Sequence, residues 1–441
     1  MGLKINGVVN AQAEQENVKA QAIETTKPYI PKGFTEVKGT NLETGYTIRD
    51  AKGNQYVWIE VPMTTEVYST AGLEITSFTE GEYTKIEKDL HTYTNDYRNG
   101  TKFKDEYYSD ATTGLTKEQY YTLKKKMLKS VYQNGGFYIG KYETGIESAP
   151  KTSGSADTLP TETPVIKQSV YPYNYVTCSQ AQKLASKMES GNNTSSLMFG
   201  VQWDLVLKYL EKKGTSKEDL KINSTSWGNY QNNEWKITNT GLKYARDNYY
   251  TLDSWTNIKD AKEKLKKEEE EEAKKQKEDD KNKKEDDKNK TETKVETKEE
   301  EEAKKQKEDD KNKKEDDKNK TETKVETKEE EEARKKAEEE ERKKKEIRRL
   351  TKKLVETGVK DSTVKLLLET GSSNKFSKQG IYDLAGNVWE WTLEYTSNPS
   401  APCARRGGSY YGNGSYSPVL RRFNNIATDY YDFIGFRVAI F

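Results

Sequence analysis

The chain has 441 residues, 75 of them basic and 74 acidic, with 32% hydrophobic and 34% charged residues and a formal net charge of +1. A balance so close to neutral gives no field to draw in nucleic acid or an anionic membrane surface, and no nucleic-acid partner is expected. The excess of charge is local: residues 271–300 and 301–330 are the same 30-residue sequence twice, each copy with 12 acidic and 10 basic residues. Without them the chain is about 28% charged, close to the roughly 25% of globular proteins.

In chain order, residues 1–30 read as a polar tail. No stretch approaches the roughly 18 apolar residues that span a bilayer, and the polar start lacks the apolar core of a signal peptide. Nothing in the chain as given exports or anchors it; a location on a cell surface, outside the cell or on a virion requires a separate targeting segment or carrier. Gly45-Tyr46-Thr47-Ile48 and Gln55-Tyr56-Val57-Trp58-Ile59 alternate about Asp50-Ala51-Lys52-Gly53-Asn54 and predict a β-hairpin. A polar stretch follows. Thr116 with Gln119 is a capping box, behind which Tyr120, Leu123, Met127, Leu128 and Val131 share a face until Gly135-Gly136 closes the helix. Phe137 to Glu143 is a strand. Thr177 with Gln180 opens a second helix, and Trp203, Val206, Leu207 and Leu210 line a third. Short polar strands are expected between Trp235 and Tyr244.

From 258 to 353 the chain is a charged insertion. Between Leu265 and Ile347 its only large apolar residues are Val295 and Val325, so it has no coiled-coil seam. Glu/Lys blocks at its ends favour helix and the Asp/Asn-rich middle does not, which predicts part helix and part disorder. The two readings are a duplicated solvated loop and a spacer or partner-binding arm. Cys178 and Cys403 are the only cysteines, too few for a disulfide framework: they form either one bridge or two buried free thiols.

Gly380-Ile381-Tyr382-Asp383-Leu384-Ala385-Gly386-Asn387-Val388-Trp389-Glu390-Trp391 resembles the G-L-Y-D-M-A-G-N-V-W-E-W signature of the formylglycine-generating, or sulfatase-modifying factor, family. Phe137 to Glu143, Trp227-Gly228-Asn229, Arg406-Gly407-Gly408-Ser409-Tyr410 and Gly435-Phe436-Arg437 resemble further family motifs in the same order. The resemblance implies an α+β, C-type-lectin-like domain interrupted by a long charged helical or disordered insertion, with 31–257 and 354–441 as its two parts.

Active members bind copper and the substrate thiol through a C-x-x-x-x-C pair beyond the R-G-G-S-W motif. Those positions are Gly412 and Ser417 here. Neither supplies a soft ligand for Cu(I), so copper and its oxidase chemistry are not expected. Other relatives hold iron with three histidines, whereas His91 is the only histidine of this chain, and it reads as a surface residue in a polar stretch. The resemblance assigns Asn387, Val388 and Glu390 to a structural calcium ion, for which their oxygens are suitable hard ligands; the other reading is that they close buried hydrogen bonds.

The segment from Ser409 to Asp432 is rich in Tyr, Ser, Gly and Asn, residues that binding loops favour because Tyr gives stiff contact area and the small polar residues adapt. Family resemblance makes it the ligand-facing surface, with Tyr411, Asn413, Ser415, Tyr416, Asn424, Asn425, Tyr430 and Tyr431 as candidates. Of the indoles of Trp389 and Trp391 one is expected in the core, and Trp391 is placed on the binding surface. The leading expectation is a catalytically degenerate, lectin-like binding protein for a carbohydrate, peptide or protein ligand. The alternatives are a modifying oxidase on the same fold, or a display protein such as the variable protein of a diversity-generating retroelement. In the latter the same Tyr, Asn and Ser positions would be diversified.

Overall fold

The computed structural model describes residues 27–98, 100, 102–188, 193–247, 252–304 and 328–441. The expected tail therefore lies outside the described residues up to position 26, and the middle of the expected insertion, 305–327, does as well. The chain is α+β and divides into two compact units. One holds the described residues of 1–233, 244–254 and 365–441, and the other those of 234–243 and 255–364.

In the first unit β1 (Phe34–Glu36), β2 (Thr47–Asp50) and β3 (Gln55–Glu60) form an antiparallel meander. The β2–β3 turn is held by the Asp50 carboxylate, which accepts from Lys52 N, Asn54 N and Asn54 Nδ2. Helix α1 (Glu80–Tyr93) follows, then α2 (Lys117–Asn134) and β4 (Gly136–Gly140). The capping box of α2 is present in full, and Gly135 ends the helix in the left-handed conformation at φ 69° that glycine adopts without strain. Helix α3 (Cys178–Ser186) carries the second capping box, and β5 (Ser195–Leu197) leads into α4 (Gly200–Lys212).

Helix α1 occupies the stretch read from sequence as merely polar. Its N-terminus is capped by Thr79, whose hydroxyl accepts from Glu82 N, but its buried side is thin: Ile86, Leu90 and an aspartate, Asp89. The Asp89 carboxylate accepts from the backbone of Thr70 and Ala71, which secures the preceding loop.

The second unit contains α5 (Ile258–Lys304) and α6 (Lys328–Thr357), together with a two-stranded ribbon, Trp235–Lys236 paired with Val359–Lys360. Arg348 pairs with Glu272, and Lys352 Nζ lies 2.8 Å from Glu269, linking the two helices. Helix is the state of every described residue between 258 and 357, and the expectation of part helix and part disorder also falls on 305–327, outside the described residues. Pairs at i, i+4 such as Arg334–Glu338 and Lys343–Glu339 supply the local support.

The chain returns to the first unit with β6 (Trp389–Thr396), β7 (Cys403–Arg406), β8 (Arg422–Asn425), β9 (Ile434–Phe436) and β10 (Val438–Ile440). Strand β10 completes a six-stranded sheet in the order β1-β2-β3-β4-β10-β5. The other four form a second sheet, β8-β7-β6-β9, extended by Phe103–Lys104 on β6. Only the β6–β9 pairing is parallel within it. Helix α4 packs against both β3 and β6, and one hydrophobic cluster runs from Phe34 to Ile440. Cys178 and Cys403 are buried free thiols. Among the described residues no helix is long and apolar enough to cross a membrane.

Candidate functional site

The second sheet positions the candidate site, and strand alternation sorts its side chains. Glu390, Arg406 and Arg422 lie in one cross-strand row, and Trp391, Arg405 and Phe423 in the next, so the two rows project from opposite faces.

The first face carries a buried charge network. Arg406 Nη2 donates to Asp204 of α4 at 2.7 Å and Nη1 to Glu394 at 3.0 Å. Arg422 donates to the same two carboxylates at 2.6 and 2.7 Å and to Tyr97 O at 2.9 Å. Burial alone would raise the Glu394 carboxyl; the Arg422 and Arg406 charges outweigh it and hold Glu394 at about 2.

Beside this network lies a hub around Asn387, which adopts φ 52°, a left-handed conformation that asparagine tolerates. Its Nδ2 donates to Glu143 at 2.6 Å, while its Oδ1 accepts from Asn229 Nδ2 at 2.9 Å and Leu368 N at 3.1 Å. Val388 N donates to the other Glu143 oxygen at 3.0 Å. Both Glu390 oxygens accept from Arg437, with Nη2 at 2.7 Å. Of the three residues assigned to calcium, Asn387 and Glu390 thus already have their side-chain oxygens engaged by different protein donors. Asn387 Oδ1 already accepts two hydrogen bonds and Glu390 is ion-paired with Arg437, so as arranged neither side chain is free for a cation. Among the described residues no group of three or more His, Cys, Asp and Glu side chains could hold a metal.

The opposite face is aromatic. The Arg405 guanidinium carbon lies 4.8 Å from the Trp389 ring centre, 4.9 Å from Phe423 and 5.3 Å from Phe433. Tyr431 stacks on Phe433 at 5.0 Å with the rings 5° from parallel, and Tyr411 stacks on the same ring at 5.7 Å. Lys365 Nζ sits 3.6 Å from the Tyr411 ring centre. Phe423 is 42% exposed and Tyr431 41%. Burial pushes the Arg405 guanidinium down to about 10, with Asp429 and Tyr431 opposing the shift, so it remains charged at neutral pH.

The expected site residues divide on this background. Tyr411 and Tyr431 join the aromatic cluster. Trp391 does not: it is 1% exposed and its indole N–H donates to Val176 O at 2.9 Å. Residues two apart on a strand share a face, and of the two indoles it is Trp389 that reaches the cluster. Tyr416 is 79% exposed, on the turn where the Asn413 Oδ1 accepts from Ser415 N and Oγ. Asn413 and Ser415 thus hold each other. Asn424 donates weakly to Ala401 O at 3.4 Å, Asn425 is buried and donates to Asp429 at 2.6 Å, and Tyr430 is half-buried. Sequence reasoning missed Arg405, Phe423 and Phe433.

The same turn brings Gly412 and Ser417 together. A Cβ placed on Gly412 would lie 4.0 Å from the Ser417 Cβ, within the range of a cysteine pair, yet neither position carries a thiol.

His91, expected as a surface residue, is half-buried. It lies in α1 with Arg98 Nη1 3.0 Å from its Nε2 and Glu87 at 3.5 Å. It lines a cavity of about 500 Å³ with Lys124 and Asp105. Burial, then the charges of Arg98, Lys124 and Arg422, push its pKa down to about 3, so the ring is neutral and accepts from Arg98. A nitrogen occupied in this way is a poor general base.

Fold and site together define an α+β domain that buries its family-motif polar residues and carries an aromatic patch on its C-terminal sheet. Residues 198–440 match the family model of the sulfatase-modifying factor enzyme 1-like domain, more than half of the chain, and the protein belongs to that family. No curated protein matches the chain, and no solved structure does.

Proposed function

We propose that this protein is a catalytically degenerate, lectin-like member of its family that binds a carbohydrate, peptide or protein ligand through the aromatic C-terminal face. The observation that carries this reading is the Gly412–Ser417 turn: the two positions stand at thiol-pair separation without thiols, beside a chain segment that presents Tyr431 and Phe423 to solvent. Loss of the soft ligands removes the means to hold Cu(I). The stacked rings offer stiff contact area that needs little ordering on binding. The charged segment of 258–353 is then a long insertion that takes no part in the site.

Two measurements test the reading. Incubation with copper, oxygen and a Cys-x-Pro-x-Arg peptide should leave the peptide mass unchanged; conversion of the thiol to an aldehyde would overturn it. A screen of glycans and proteins should return a ligand whose binding falls at least about tenfold in Phe423→Ala and Tyr431→Ala, since stacked aromatic residues dominate such surfaces. Binding that is indifferent to both substitutions places the site elsewhere.

A further inference from the structure

The chain has two cysteines, and the fold brings both to one buried spot. Cys178 opens α3 and Cys403 opens β7, and they are 2% and 0% exposed. Contacts on two sides place them next to each other. On the sheet side, the Trp391 indole donates to Val176 O at 2.9 Å, which seats the start of α3 on β6, and the Cys178 thiol donates to Thr392 O at 3.5 Å. Thr392 is the cross-strand partner of Ala404, the neighbour of Cys403. On the other side, the Cys403 thiol points to Thr112 O at 3.9 Å, in the single helical turn Asp110–Thr113. Gly114 ends that turn against the backbone of Ser179, the neighbour of Cys178. The two thiols are themselves in hydrogen-bond contact.

A buried free cysteine acts in a core as a small apolar residue, a role that does not require a second one beside it. A disulfide does require it, because its sulfurs must approach to bonding distance with little backbone movement. We infer that Cys178 and Cys403 are a redox-closed staple, joined as a disulfide between α3 and β7 when the chain folds in an oxidising compartment. One S–S bond forms between the two Sγ atoms while the S–S bond of a small disulfide such as oxidised glutathione breaks. The cysteines give up two electrons in all, and their two protons end on the two glutathione thiols.

The exchange belongs to folding rather than to the finished fold. There neither thiol is accessible, and contact with Cys403, then burial, holds the Cys178 thiol well above its usual range, so the attacking thiolate is scarce. Once closed, the bridge is shielded from reductants by the same burial. It restrains a long stretch of the unfolded chain, and it fixes β7, the strand that carries Arg405 to the aromatic face.

Cell-free synthesis of the full chain in a buffer of oxidised and reduced glutathione, and in parallel in dithiothreitol, tests the inference. The glutathione product should be two mass units lighter, take up no iodoacetamide in urea and yield one cross-linked peptide pair containing Cys178 and Cys403. It should melt at least about 5 °C above the dithiothreitol product. Cys178→Ser and Cys403→Ser should each remove that difference in melting. If a variant unfolds, the comparison of the two products of the unsubstituted chain decides. Free thiols in both products, glutathione adducts in place of the bridge, a bridge between two chains, or a bridged protein that melts no higher than the reduced one overturns the inference. So does a soluble product obtained only in dithiothreitol.

Discussion

The two faces of the second sheet carry neighbouring arginines in opposite circumstances. Arg406 is locked between Asp204 and Glu394 with only its Nε unpartnered, whereas Arg405, one residue earlier on the same strand, has no carboxylate partner and lies among Trp389, Phe423 and Phe433 with Nε and Nη1 unpartnered. The network on the first face ties α4 to three strands and satisfies its charges internally. On the second face the cation has no carboxylate partner and lies against three rings that hold it by cation–π attraction.

The largest effect is expected from breaking the charged face. Asp204→Ala leaves Arg406 and Arg422 buried with one shared carboxylate and should lower the unfolding free energy by about 3–5 kcal/mol in a urea titration. A smaller change tests the turn beside the aromatic face. The double substitution Gly412→Cys and Ser417→Cys should cross-link under mild oxidation, as a loss of two mass units and of two titratable thiols, and closing so short a loop should add at most about 2 kcal/mol. Failure to cross-link would contradict the 4.0 Å placement of the two positions.

The third prediction concerns pH. Burial raises the Asp383 carboxyl to about 7, although donation from Gly371 N and the Arg437 charge oppose it. A carboxyl raised on folding contributes its full stabilisation below its unfolded value of about 3.9 and loses it as the pH rises through about 7. Asp383→Asn, compatible with the left-handed φ of 57° there, should therefore flatten the fall in stability between about pH 4 and pH 8. Glu394 acts in the opposite sense. Its contribution is present above its unfolded value and is lost only as the pH falls toward about 2, so this network should persist through the same window. The smallest effect is expected from deleting 266–346. Its described ion pairs are exposed, and the melting of the family domain should shift by no more than about 1 kcal/mol equivalent.

Some of this is legible in the sequence. Thr116 with Gln119 and Thr177 with Gln180 announce α2 and α3 because a capping box is a local signal. Thr79 with Glu82 gives the same signal for α1, but only Ile86 and Leu90 mark its apolar side, and the buried Asp89 breaks the pattern. Tyr411 and Tyr431 stand out by composition. Arg405 does not, because the two members of an Arg-Arg pair look alike in sequence, and only the strand period sends one to each face. The Asp204 partner of Arg406 lies 202 positions away, beyond any local rule. Trp391 is misplaced when two indoles two residues apart are taken to face opposite ways, since strand geometry puts them on one side.

The division between the two faces is tested most directly by one substitution made twice. Arg406→Met and Arg405→Met are compared by urea unfolding under the same conditions. The structure predicts that Arg406→Met loses about 3–5 kcal/mol, because it leaves Asp204 and Glu394 buried with one fewer cation, while Arg405→Met changes stability by no more than about 1 kcal/mol, because no carboxylate is abandoned. Equal losses in the two variants would contradict it and would make Arg405 a structural residue like its neighbour.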